Sequence, residues 1–360
     1  MNFTEGTWEA CQTINNHWGN YPQDILWKDG RTIIRQMVDV CSKGGNLLLN
    51  VGPDYRGNIP AGSVRTLQEV GTWMKRYSAS LHGAKGTKMG ELAWGRVTHK
   101  PWKIYLHIFD WPNSKKIRVP GLKNTVTKAC LLADPNESPL EFKEHQITLS
   151  NSKVFRYVEI HLPPIKLPAE ALHPDNTVFV VETSEKELLV DTEIQYLDSD
   201  YENIFLAYNA TIKTQGPVKL NKMNRWSYLD TGVKTLKLDS YVEKLKNNDV
   251  LSWSFRNSEL GDYFVIAEYA AETDGKSGSF TIECARQRIK GQLQSTRKTE
   301  ERFEKFLIGK VSLFEISDFT LTLKVQDFSS VKNMHLKSII LKPARTTPRE
   351  KSDVGLLDYN

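Results

Sequence analysis

No apolar run in the 360 residues approaches the roughly 20 that a membrane-crossing helix needs. The opening residues MNFTEGTWEA have neither a basic n-region nor an apolar h-region, so no membrane partner is expected from this sequence. Cysteine is scarce: Cys11, Cys41, Cys130 and Cys284 lie too far apart for metal-ligand spacing, which leaves buried thiols or a chance disulfide, and no metal or cofactor is expected. Charge of one sign is also in short supply, with a net charge of +5 drawn from cations spread along the whole chain. The densest basic stretch, 286–310, is broken by Glu300, Glu301 and Glu304. A nucleic-acid surface would need clustered cations with stacking aromatics between them, so this stretch reads as a solvated mixed-charge face.

What is present is ordinary for a folded chain. Hydrophobic residues make up 39% and charged residues 25%, which argues against disorder, and the length allows two or three domains with real cores. After Asp29, a natural N-cap, Ile33, Ile34, Met37, Val38 and Cys41 recur at helical spacing until Lys43-Gly44-Gly45 stops the helix. The run from Asn46 to Val51 reads as a parallel strand buried on both faces. A second helix is expected to open near Pro60 and to place Val64, Leu67, Val70, Met74 and Tyr77 on its apolar face, ending near Gly83. From about Trp94 the pattern becomes short alternating runs, 103–109, 116–119, 127–132, 155–162 and 177–182, divided by turn clusters, as in an antiparallel sandwich. Polar residues 184–193 read as a linker, a second all-β segment occupies 194–345, and 346–360 reads as a loose tail.

The stretch WEACQTINNHWG, followed by IIRQMVDVCSKGGNLLLNVGPDYRGNIP, resembles the text around the acid/base glutamate of glycoside hydrolase family 29 α-L-fucosidases. Residues 67–83 and the following WGRVTHKPWKIYLHIFDWP resemble the closing helix of that family's barrel and the start of its C-terminal β domain. The resemblance implies a fold in which residues 1–90 are the remnant of a (β/α)8-like barrel, followed by two all-β sandwich domains at 91–183 and 194–345. It implies a retaining enzyme that removes terminal α-L-fucose by double displacement, with a fucosylated glycan as partner and action in an extracellular or periplasmic space.

Such chemistry needs one carboxylate to attack the anomeric carbon and a carboxyl group to protonate the leaving oxygen. Glu9 stands where the family has its acid/base, whereas the family's nucleophile lies upstream of the Trp-Glu motif, so the chain is expected to be truncated and inactive alone. Trp18 suits a sugar platform as well as barrel packing, and Asn20-Tyr21 departs from the family, in which Tyr follows Trp-Gly directly. His17 reads as a loop histidine and Asp54 as a turn former. In the second β segment, Leu251, Trp253 and Phe255 share a core face. Trp226 and Tyr228 share a face with polar flanks and are candidates for sugar stacking, against the competing reading of core packing. A non-catalytic carbohydrate-binding protein and a structural sandwich are the alternatives to the enzyme.

Overall fold

The structure, a computed structural model, describes residues 6–89, 92–150, 152–162, 176–191, 194–214, 219–228, 234–273, 278–296, 303–329 and 331–344; the side chains of 219–228, 234–240, 332 and 333 are outside the description. The chain is mostly β, with two α-helices among the described residues. It divides into two units, Met1–Asp198 with Lys222–Asp239, and Ser199–Asn221 with Ser240–Asn360.

The first unit opens with β1 (Glu9–Thr13), α1 (Gly30–Ser42) and β2 (Asn46–Asn50), in which β1 and β2 pair parallel from Glu9↔Asn46 to Thr13↔Asn50. Parallel neighbours need a crossover between them, and α1 supplies it. The Asp29 carboxylate caps α1 by accepting from Thr32 N at 2.8 Å, and Gly44, with φ 85°, ends it. Ile33, Ile34 and Val38 are buried as the spacing requires. By contrast, β2 is not buried on both faces: its five residues are exposed or partly buried, with Leu48 exposed. A parallel strand is buried on both faces only where helices cover both, and the face that carries Leu48 is left open among the described residues.

Helix α2 (Ala61–Tyr77) follows Pro60 and ends in a 3-10 turn at Ser78–Ser80. Its inward face is in part the one expected, with Tyr77 buried and Val70 and Met74 packed against the same core, but the first turns differ. Val64 and Leu67 are exposed, while Gly62, Ser63, Thr66, Trp73 and Tyr77 are buried. The incoming loop decides this: Trp27 Nε1 donates to Ser63 Oγ at 3.1 Å, Thr66 Oγ1 donates to Lys28 O at 2.7 Å, and a Cβ on Gly62 would come within 2.2 Å of the Trp27 ring. Small and hydroxyl residues fit where an indole and a carbonyl approach a helix closely.

Seven strands follow: β3 (Gly95–Lys100), β4 (Lys103–Ile108), β5 (Lys116–Pro120), β6 (Val126–Leu131), β7 (Phe142–Thr148), β8 (Val154–His161) and β9 (Thr177–Thr183). They form antiparallel sheets in the orders β3-β4-β9-β6 and β5-β8-β7. The alternation marked all but β3 and β7. The latter, FKEHQIT, lies at a sheet edge with a largely solvated face and so carries little apolar signal. Ile34, Val38, Trp73, Tyr77 and Leu81 from the helical segment form one buried cluster with Tyr105, Cys130, Val178 and Val180 of the larger sheet. The intervening residues Ile104, Leu106, Phe179 and Val181 are buried as well, so β4 and β9 read as near-continuous apolar runs. Residues 184–191 bond back to this unit, through Ser184 N to Thr125 O at 3.1 Å and Lys123 N to Leu189 O at 2.9 Å, and β10 (Gln195–Leu197) follows them.

The second unit holds β11 (Asn203–Leu206), β12 (Thr211–Lys213), β15 (Val250–Asn257), β16 (Gly261–Thr273), β17 (Ser279–Cys284), β18 (Gln287–Gln292), β19 (Glu304–Leu313), β20 (Asp318–Asp327) and β21 (Val331–Pro343); β13 (Lys219–Tyr228) and β14 (Lys234–Glu243) straddle the division between units. One sheet runs β15-β20-β17-β18 with β12 on β15, and another runs β14-β21-β16-β19 with β11 on β21. Leu251, Trp253 and Phe255 are buried on one face of β15, as their alternation requires. Phe255 lies between Phe205 at 5.4 Å and Phe319 at 5.5 Å, and Trp253 Nε1 donates to Leu206 O.

Candidate functional site

Parallel strands of α/β barrels present their chemistry at their C-terminal ends. Here those ends are Thr13 and Asn50, where the loop 14–28 leaves β1 and the loop 51–60 leaves β2. The two loops are tied together: Ile14 N donates to Asn50 O at 3.2 Å, and Asn50 Nδ2 donates to Trp18 O at 2.6 Å. Gly52 permits the approach, since a Cβ there would stand 2.6 Å from the Gly19 carbonyl carbon.

The first loop is organised around the buried Asp24. Its Oδ2 accepts from Asn16 N at 2.9 Å and lies 2.7 Å from His17 Nδ1, while Oδ1 accepts from Asn16 Nδ2 and Leu26 N, both at 3.3 Å. Lys28 closes the loop: its Nζ donates to Thr13 O at 2.6 Å, its N donates to Ile14 O, and burial holds its ammonium pKa below the usual value. Sequence reasoning read His17 only as a loop histidine and missed Asp24 altogether. Both lie in a loop, where no helical or strand periodicity marks which residues meet.

The second loop turns on Asp54, which accepts from Arg56 N and Asn58 N, each at 2.8 Å, in the turn-forming role expected of it. The Asn58 amide in particular holds its carboxyl below the ordinary range.

Trp18 is 58% exposed at this strand end, and Tyr21, three residues further along the loop, is exposed as well. Glu9 is elsewhere. It is the first residue of β1, pairs with Asn46, and has an exposed side chain whose Oε1 accepts from the Cys11 thiol at 3.6 Å. Burial and the neighbouring Glu9 push the Cys11 thiol pKa up. Four residue steps along the strand, about 13 Å, separate Glu9 from the Thr13↔Asn50 end. The structure therefore does not bring Glu9 and Trp18 together on the backbone. Ahead of Glu9, the Trp8 indole packs so closely on Gly45 that a Cβ there would come within 2.5 Å. Trp226 and Tyr228 stand on β13, and their side chains are outside the described residues. All four cysteines are free thiols, and among the described residues no three His, Cys, Asp or Glu side chains gather to hold a metal.

A parallel β-α-β unit with a loop-built strand end, leading into antiparallel sheets, is the class that fold and site define. Residues 1–79 match the family model described as alpha-L-fucosidase. The chain is 29% identical over 155 residues to an α-L-fucosidase of Dictyostelium discoideum, covering 40% of this chain and 34% of that protein. It is 32% identical over 120 residues to the plasma α-L-fucosidase of Rattus norvegicus, covering 31% of this chain and 26% of the relative. The chain thus spans about a third or a quarter of the length of these curated relatives. In fold it is similar to the crystal structure of an α-L-fucosidase from Vibrio sp. strain EJY3, with a TM-score of 0.61 at 20% identity over 95% of this chain and 56% of that one. On these matches the chain is related to the α-L-fucosidases.

Proposed function

We propose that this chain is the C-terminal part of a retaining exo-α-L-fucosidase, in which residues 1–90 complete a (β/α)8-like catalytic barrel and two β-sandwich domains follow. The observation that carries this reading is the coincidence of the family match with the parallel unit: residues 1–79 contain β1, α1, β2 and α2 together with both loops at the strand end. In double displacement, a carboxylate attacks the anomeric carbon and expels the aglycone, which a carboxylic acid protonates; that group, now a base, then takes a proton from the water that releases fucose. Glu9 is the carboxyl group proposed for the acid/base role on the family resemblance alone, since it stands at the start of β1 and not at the Thr13↔Asn50 end, and the nucleophile is proposed to come from sequence upstream of the Trp-Glu motif. The partner is a fucosylated glycan. Action outside the cytoplasm is part of the same proposal and is supported by the plasma fucosidase among the relatives.

The test has two arms. The chain by itself should not hydrolyse an aryl α-L-fucoside, because no glycosyl-enzyme can form without a nucleophile. Joined to the upstream barrel, it should turn over, and Glu9→Gln should slow poor leaving groups far more than activated aryloxides, with azide restoring deglycosylation. Equal losses for both leaving-group classes with no azide effect would remove Glu9 from the mechanism while leaving the fucosidase reading in place.

A further inference from the structure

The Asp24 carboxylate has three N–H donors besides the imidazole: Asn16 N, Asn16 Nδ2 and Leu26 N. A carboxylate so surrounded can only accept, which puts the hydrogen of His17 on Nδ1, at 2.7 Å from Oδ2. With Nδ1 as the donor, the neutral form of the ring carries its lone pair on Nε2, which bonds to no described residue. The loop does not need His17 in order to close, because the other three donors already fix Asp24 and the Lys28 bonds close its far end. What the His17–Asp24 pair adds is an imidazole of fixed tautomer and direction, its side chain 36% exposed. This imidazole stands on the loop that leaves the C-terminal end of β1, with the Tyr21 ring 4.7 Å away and the exposed Trp18 next to it in sequence.

We infer that His17, oriented by Asp24, is a saccharide-binding residue whose Nε2 accepts a hydrogen bond from a sugar hydroxyl of the substrate glycan, with Tyr21 offering an apolar face to the same ring. This rests on the fucosidase reading, which makes a saccharide the occupant of this strand end. The chemistry suits it: a pyranose presents hydroxyl donors at its rim and C–H groups on its face, and sites for such ligands combine a few fixed polar groups with aromatic walls. Asp24 touches no ligand and acts through His17 as a positioning residue.

The test uses the whole chain, labelled with 15N, and long-range proton–nitrogen correlation spectra of the imidazoles. His17 should show the Nδ1–H tautomer and should revert to the commoner Nε2–H form in Asp24→Ala. Titration with methyl α-L-fucoside and a fucosylated trisaccharide should move the His17 Nε2 resonance, with maltose as the control that does not. His17→Phe should weaken fucoside binding roughly five- to tenfold, the worth of one neutral hydrogen bond, without changing the melting temperature. A Nε2–H tautomer in the parent chain, a Nε2 resonance indifferent to every sugar, or undiminished affinity in His17→Phe would each overturn the inference. The two readings part cleanly. Turnover by the restored enzyme with no response at His17 would keep the fucosidase and remove this site; a response to maltose alone would keep a saccharide site and remove the fucosidase.

Discussion

Arg96 Nε lies 2.5 Å from Asp39 Oδ1, while Lys43 Nζ reaches the other oxygen of the same carboxylate at 2.7 Å. The pair fastens β3 to α1 across 57 residues of sequence, at the edge of the layer in which the helices meet the larger sheet. Burial pushes the Asp39 carboxyl up, but the Arg96 and Lys43 charges outweigh it and hold its pKa below the usual carboxylate value. Asp39→Asn should therefore destabilise the chain by about 1–3 kcal/mol at pH 7, since it removes the negative charge that the buried Lys43 and the largely buried Arg96 share. The sign with pH follows from the depressed folded value. The stabilisation is complete above the unfolded carboxylate pKa of about 4 and is lost as pH falls through the folded one. Urea unfolding of parent and variant at pH 7 and pH 3 checks this; their difference should shrink at the lower pH.

His107 supplies a second pH signature. The Thr98 hydroxyl donates to Ser80 O at 2.6 Å, so its oxygen accepts from His107 Nε2 at 3.1 Å, and Asn176 Nδ2 faces the bare Nδ1 at 3.3 Å. Burial lowers the imidazole pKa to about 3. An unfolded histidine takes up its proton near pH 6.5, so between about 6.5 and 3 the unfolded chain binds the extra proton and stability falls as pH drops. Replacing His107 with Gln should flatten the dependence in that window by up to about 1.4 kcal/mol per pH unit. An NMR titration placing His107 near pH 6 in the folded chain would contradict the assignment.

Two glycines of α2 should respond in opposite directions to alanine. Nothing lies within 4 Å of a Cβ built on Gly71, so Gly71→Ala should gain about 0.5–1 kcal/mol from helix propensity alone. At Gly62 the Trp27 ring occupies the space, and Gly62→Ala should cost about 1–3 kcal/mol through overpacking. Melting temperatures of the two variants should straddle that of the parent.

In the second unit, Phe255→Ala removes a fully buried ring that touches two other phenylalanines. A loss of about 3–5 kcal/mol is expected, read by denaturant midpoint. A loss below 1 kcal/mol would mean that β15 does not carry this core.

The sequence alone determined what depends on near neighbours. The Asp29 cap and the 33-34-37-38-41 spacing define α1, the glycines at 44 and 45 end it, and strict alternation through 251–255 sorts β15 into an inner and an outer face. Asp54 was legible as a turn former because its partners lie within four residues. The Trp-Glu stretch and the text after it were legible as fucosidase-like because they are contiguous. The tertiary structure decided everything that depends on groups distant in sequence. Only it shows that α2 turns Ser63 and Thr66 inward, because Trp27 and Lys28 arrive from 36 and 38 residues away. Only it sets Glu9 and Trp18 at opposite ends of the paired strands, and makes Asp24 the centre of a loop in which His17 has a fixed orientation. Local propensity follows from each residue's own backbone and its few neighbours along the chain. A loop carboxylate finds its donors through the path of the whole backbone, which no period in the sequence encodes.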